Sequence, residues 1–268
     1  VSFTAPIVRK ETARGHHYVD ATGRRVPGVT TIIGDGVPKP ALINWAANTT
    51  ADYAVDRWDE LGDMPASKRL DRLKKARYEE KDAAANKGTA VHLIGEKLIK
   101  GEAVQVPDEL AGHAEAYARF LDEFEVQPIH VEFSIASYRY GYAGTGDLIA
   151  SVKMPGGERR VLLLDLKTNR SGIFGETALQ LAAYRFADNL TPAGKTTEES
   201  MPEVVGCGAV HVRADGCSLI PVTAEAEQHR SFLYAQQVAA FVKESRDLVG
   251  AAIVPPTTST YRLTRETK

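Results

Sequence analysis

Val161–Lys167 reads VLLLDLK and runs on into Thr168-Asn169-Arg170-Ser171-Gly172. Four consecutive aliphatic residues followed by Leu166 describe a strand buried on both faces. Asp165 and Lys167 stand at its end, and the period of two puts them on one face. Burying either charge unpaired would cost roughly several kcal/mol, so the two must lean on a metal, on a ligand or on each other. A rim salt bridge where the strand surfaces satisfies the same requirement.

Upstream lies a second acid, Asp147, in Gly141-Tyr142-Ala143-Gly144-Thr145-Gly146-Asp147-Leu148-Ile149-Ala150. This is a glycine-rich lead into another apolar strand. The turn Met154-Pro155-Gly156-Gly157 and the return strand complete a β-hairpin that can bring the two aspartates side by side. Two carboxylates and a lysine at adjacent strand ends have the chemistry of a divalent-cation site with a cationic group beside it.

Two further pieces flank the hairpin: Gly88-Thr89-x-x-His92 before it and Gln180-Leu181-x-x-Tyr184 on the helix after it. Asp147, Asp165-x-Lys167 and these two motifs, in this order, resemble the PD-(D/E)XK nuclease superfamily, and within it the RecB-type exonuclease branch of phage and CRISPR-associated exonucleases. The resemblance spans roughly Thr89 to Tyr184, and Tyr18–Trp45 also resembles the N-terminal region of phage members.

It implies an α/β fold: a restriction-endonuclease-like core with a mixed central β-sheet flanked by helices, plus an N-terminal β/helical extension. It also implies Asp147, Asp165 and Lys167 as catalytic residues. His92, Asp147, Asp165 and the backbone carbonyl of Leu166 would hold one or two Mg²⁺ or Mn²⁺ ions. Gln180 and Tyr184 would contact the scissile strand or buttress Lys167, with Glu96 and Thr168 in supporting positions. The activity implied is divalent-metal-dependent hydrolysis of DNA phosphodiesters at ends or in single strands. A structure-specific endonuclease or nickase with the same site, and a non-catalytic DNA-binding or assembly protein, are the alternatives. DNA is the expected partner, with a recombination or replication protein as a further one.

A chain of 268 residues, 43% hydrophobic and 25% charged, has the composition of a soluble globular protein with one sizeable core. The expected organisation is an extension over 1–64 packed on the core, a nuclease core over 65–254 and a polar tail over 255–268. A net charge of −2 gives no global basic signature, so nucleic-acid binding must come from a local patch and bound metal. Neither an apolar stretch of about 18 residues nor a charged-then-apolar leader is present, so no membrane partner and a cytoplasmic location are expected. Cys207 and Cys217 alone cannot build a four-cysteine zinc site or an iron-sulfur cluster, a departure from cluster-bearing relatives. They are expected as reduced thiols, although a hairpin could face them together.

Short strands are expected over Pro6–Lys10, His17–Asp20 and Arg25–Ile33, with Val29-Thr30-Thr31-Ile32-Ile33 the clearest and Asp20-Ala21-Thr22-Gly23 a turn. A helix follows Pro38 and Pro40, with Trp45 expected in the core. Pro65–Lys87 is a charged helix; a solvated face with i,i+4 pairs is the first reading and a DNA-tracking face the second. Gly88-Thr89 should then break it, with Thr89 capping a separate helix over Ala90–Lys100. Pro107–Glu125 is an amphipathic helix and Ile129–Tyr138 a strand. In that strand Glu132 either orients a site group or is a half-exposed acid. After the two central strands come a helix over Glu176–Leu190, a polar loop over Thr191–Pro202 and a hairpin around Ala214-Asp215-Gly216. The last helix, Thr223–Val249, should be capped by Thr223.

Overall fold

The structure, a computed structural model, describes residues 3–12 and 15–254; the tail expected over 255–268 lies outside the described residues. A three-stranded antiparallel sheet opens the chain, formed by β1 (Val8–Thr12), β2 (Gly15–Val19) and β3 (Arg25–Val26). Helices α1 (Val29–Gly36), α2 (Pro40–Asp56), α3 (Trp58–Gly62), α4 (Ala66–Ile99) and α5 (Ala111–Glu123) follow. The central sheet contains β4 (Gln127–Ser137), β5 (Tyr142–Lys153), β6 (Arg159–Lys167), β7 (Asn189–Thr191), β8 (Glu199–Ser200), β9 (Gly206–Arg213) and β10 (Gly216–Val222). Helix α6 (Glu176–Arg185) connects β6 to β7, and α7 (Ala226–Glu244) ends the fold.

VLLLDLK lies within β6, at the middle of a mixed seven-stranded sheet in the order β10-β9-β6-β5-β4-β7-β8. β6 pairs antiparallel with β5 and parallel with β9. The apolar run has no polar alternation because both faces are covered. Leu163 faces a cluster with Leu181 and Tyr184 of α6, Ile32 of α1 and Phe232 of α7. Leu162, Leu164 and Leu166 face a second cluster with Val91 and Ile94 of α4 and Tyr117 and Phe120 of α5. Each such side chain contributes about 1.5–3 kcal/mol by leaving water. The fold is thus mixed α/β with helices on both faces of the sheet, and among the described residues no helix is long and apolar enough to cross a membrane.

Several local expectations are corrected. Val29–Ile33 is helical, not a strand: Val29, Ile32 and Ile33 are buried at the i, i+3, i+4 spacing, and packing of that stripe against α6 and α7 overrides the β-propensity of the run. Gly88-Thr89 does not break the chain; α4 continues for 34 residues and the Thr89 hydroxyl donates back to the Ala85 carbonyl at 3.0 Å instead of capping. Trp45 is half-buried and belongs to none of the core clusters, because α2 packs on α4 rather than on the sheet. Leu190 leaves the helix and forms β7, and Glu199–Ser200 of the expected loop form β8. The N-cap of α7 is Glu225, whose reciprocal capping box with Gln228 outcompetes Thr223. Cys217 lies opposite Val212 and Cys207 opposite Val222, so the hairpin keeps the thiols apart, and burial pushes both up to about 12.

At the crossing of α1 and α7 a Cβ on Gly36 would fall on the Ala235 carbonyl oxygen, whereas one on Gly34 meets nothing within 4 Å. Gly36→Ala should therefore lower unfolding stability by about 1–3 kcal/mol. Gly34→Ala should leave it unchanged or raise it by about 0.5–1 kcal/mol through helix propensity. Urea midpoints of the two variants check this, and equal midpoints would contradict it.

Candidate active site

The last ladder pair between β5 and β6 is Leu148↔Leu164, and beyond it the strands part. Asp147 and Asp165 occupy the next position on each strand. The opening would leave the Leu166 amide without a strand partner. Asp147 fills it: its Oδ2 accepts the Leu166 N–H at 2.7 Å. Leu166 thereby borders the opening, with its main chain beside Asp147.

Asp165 turns toward α6. The residue is 2% exposed, with Lys167 Nζ 2.6 Å from Oδ2 and Gln180 Nε2 donating to Oδ1 at 2.7 Å. Lys167 Nζ also donates to Gln180 Oε1 at 3.2 Å, and Gln180 Nε2 donates to the Tyr184 hydroxyl at 3.2 Å. The four side chains thus close a network in which one amide bridges acid, ammonium and phenol. Among the described residues Lys167 is the one side chain at Oδ2, so this buried oxygen keeps lone-pair capacity free.

On the other side of Asp147, α4 brings His92 over the sheet, its Nδ1 3.6 Å from Asp147 Oδ2. α4 can approach because position 95 is glycine; a Cβ there would lie 3.2 Å from the Tyr117 ring and 3.3 Å from Leu166. Glu132 completes this group. The flanking pairs Val131↔Leu148 and Phe133↔Gly146 place it opposite Asp147, and its backbone takes φ 51 in mid-strand. One ligand atom from each of His92, Glu132 and Asp147 lies within 4.8 Å of the others. They line a cavity of about 20 Å³, room for one water or ion, together with Glu96 and Tyr117. Such a nitrogen and carboxylate set could hold a divalent cation.

Electrostatics point the same way. Burial, and then the facing Asp147, push the Glu132 carboxyl up to about 7. Asp165 is raised for the same two reasons, with Lys167 and then His92 opposing them. Both shifts mark negative charge that the side chains alone do not compensate, which a cation in the cavity would relieve.

The structure therefore brings His92 and Asp147 together at the cavity and groups Asp165, Lys167, Gln180 and Tyr184 beside it. Asp165 does not belong to the three-residue cluster, because its oxygens face Lys167 and Gln180. Glu96 lines the cavity but its carboxylate is ion-paired with Lys100 at 2.5 Å. Thr168 sits against α4, its hydroxyl oxygen 3.4 Å from where a Cβ of Gly88 would be. Sequence reading left Glu132 between two roles; an acid interrupting apolar alternation in the strand next to Asp147 was the available signal. It missed Tyr18, whose hydroxyl lies 2.7 Å from Thr145 Oγ1 and carries the N-terminal sheet to the edge of the site. No protein-family model and no curated protein matches the chain.

In EDTA, Asp147→Asn should stabilise the protein by about 1 kcal/mol, the scale of one pKa unit, by removing the charge that faces Asp165 and Glu132 while an amide oxygen can still accept the Leu166 N–H. Lys167→Met should destabilise by up to about 3 kcal/mol, limited by proton uptake on Asp165. Chemical denaturation of the metal-free variants checks both signs.

Proposed function

We propose that this chain is a divalent-metal-dependent DNA exonuclease of the PD-(D/E)XK type, its seven-stranded sheet and flanking helices corresponding to the restriction-endonuclease-like core. One observation carries the reading: Asp147 and Asp165 occupy the first positions past the last β5–β6 pair, with an imidazole on one side and a locked ammonium on the other. Phosphodiester hydrolysis needs a polarised phosphoryl group, an activated water and charge compensation at the leaving oxygen.

His92, Glu132 and Asp147 would hold Mg²⁺ or Mn²⁺, with Asp165 and the Leu166 carbonyl at its border. When bound, the ion supplies Lewis-acid polarisation of the phosphate and makes water a better nucleophile. The remaining work belongs to the chain. Lys167, held between Asp165 and Gln180, presents a positive charge where negative charge grows on the phosphate. Gln180 orients both partners, so the ammonium needs no reorganisation during reaction. Tyr184 is 2% exposed and accepts from Gln180, which makes it a buttress for that amide rather than a contact to the strand.

Labelled linear single strands, linear duplex and closed circles, each with Mg²⁺, Mn²⁺ or EDTA, test the proposal. Cleavage of linear substrates only, abolished by EDTA, is expected; cleavage of closed circles would make the enzyme an endonuclease. Asp165→Asn and Lys167→Ala should each lower the rate by about 10³-fold or more. Wild-type rates in both would overturn the assignment.

A mixed nitrogen and oxygen site also predicts metal preference. Mn²⁺ should support cleavage at least as well as Mg²⁺, and His92→Ala should weaken Mn²⁺ more than Mg²⁺. Titrating each ion against rate decides it. No loss with either ion would leave the imidazole without a ligand role.

A further inference from the structure

α4 is longer than the fold requires. At 34 residues it extends about 50 Å, and its last third suffices to bring His92 to the sheet. The helix also packs on α2. Every residue from Glu79 to Asn86 is exposed, so the helix crosses open solvent there.

At 3.6 residues per turn, Gly88, Ala85, Lys81, Tyr78, Arg77 and Lys74 all lie within about 60° of the direction of His92. That face therefore leaves the cavity past Gly88 and Thr168, passes a small residue, and reaches a cluster of three cations and a phenol. Arg77 sits about 22 Å from His92 along the axis. The buried and half-buried positions of this half, Arg69, Arg72, Leu73 and Ala76, lie about 100–160° around the helix from His92. The His92 face of this half is thus left exposed at Lys74, Arg77, Tyr78 and Lys81.

Charge and ring exposure on that face are unusual for a solvated helix. Lys75 and Arg72, turned away from it, are neutralised by Asp71 at 2.8 Å and Glu79 at 3.6 Å. Among the described residues Lys74 and Lys81 form no ion pair. Tyr78 is 50% exposed, and the Arg77 guanidinium lies 4.7 Å from its ring centroid and donates to its hydroxyl. A half-exposed aromatic ring flanked by Arg77 and by lysines without an acidic partner is what stacking of bases and neutralising of phosphates require together. A duplex offers no free base face to such a ring.

We propose that the His92 face of α4 is a track for single-stranded DNA, with Tyr78 as a base-stacking platform and Lys74, Arg77 and Lys81 as phosphate contacts, feeding the strand past Gly88 to the metal-binding cavity. This rests on the phosphodiesterase reading of that cavity and adds the substrate class: a single strand, held several nucleotides from the cut.

Fluorescence anisotropy of a labelled oligothymidylate of about 20 nucleotides with Ca²⁺ present, over a range of salt, tests the track without cleavage. The variant with Lys74→Ala, Tyr78→Ala and Lys81→Ala should bind at least about tenfold more weakly, with a salt slope shallower by about 0.7 for each lost phosphate contact. Tyr78→Phe should keep stacking and hence most of the affinity, and Lys75→Ala, off the face, should bind as wild type. All these positions are exposed and alanine is a good helix former, so the variants retain the fold. Unchanged affinity and slope in the triple variant would overturn the track. EDTA-sensitive hydrolysis of bis(p-nitrophenyl) phosphate by the wild-type protein, a substrate too short to reach Tyr78, reports on the cavity separately. Hydrolysis with no binding change would overturn the track alone, whereas a binding loss without any hydrolysis would support the track and overturn the nuclease reading.

Discussion

A backbone amide that cannot be left unpaired organises the centre of this protein. Where β5 and β6 part after Leu148↔Leu164, the Leu166 N–H points into a buried opening, and an orphaned donor there would cost about 1–3 kcal/mol. The Asp147 carboxylate supplies the missing acceptor at 2.7 Å. That single bond fixes a negative charge in the middle of the sheet. Everything around it answers that charge: His92 descends from α4, Lys167 pairs with the neighbouring Asp165, and Gln180 ties the lysine and the acid to α6.

The same region depends on missing Cβ atoms. A side chain at Gly144 would lie 2.5 Å from the Tyr184 ring, and one at Gly146 2.5 Å from the Phe133 ring. Both rings can therefore lie directly on β5, which draws α6, and with it Gln180, to within hydrogen-bonding reach of Asp165. Gly95 does the equivalent work on the opposite face by admitting α4. The helices that carry the candidate site's side chains approach the sheet where glycine permits, and the spacing of those side chains follows from that approach.

These features differ in how far the sequence exposes them. VLLLDLK announces a doubly covered strand because four aliphatics in a row have no solvent-facing position, and the pleat of a strand alone puts the charges of Asp165 and Lys167 on one face. The hairpin turn and the glycines before Asp147 are similarly local. Val29–Ile33 misleads because β-branching favours a strand, while the three buried positions that make it helical matter only once α6 and α7 are in place. Gly88-Thr89 misleads because glycine costs a helix only about 1 kcal/mol, which the contacts on either side offset. The Tyr18–Thr145 bond joins positions 127 apart, and no local pattern encodes it.

Glu132 shows why local rules fail at this site in particular. Two non-glycine residues have positive φ among the described residues, Glu125 at 41 and Glu132 at 51. Glu125 lies just past the end of α5, where the left-handed conformation closes a helix and has an ordinary use. Glu132 is in the middle of a paired strand, where no turn asks for it, and such a conformation costs about 1–3 kcal/mol. The same residue has its carboxyl held up to about 7 by burial and by Asp147. Backbone strain and electrostatic strain thus fall on one side chain, whose carboxylate is aimed at His92 and Asp147. A fold under selection for stability alone would relieve either through an apolar residue in ordinary β geometry. A cation held by His92, Glu132 and Asp147 would reward this arrangement when bound, and Glu132 would then couple its binding to the stability of the sheet.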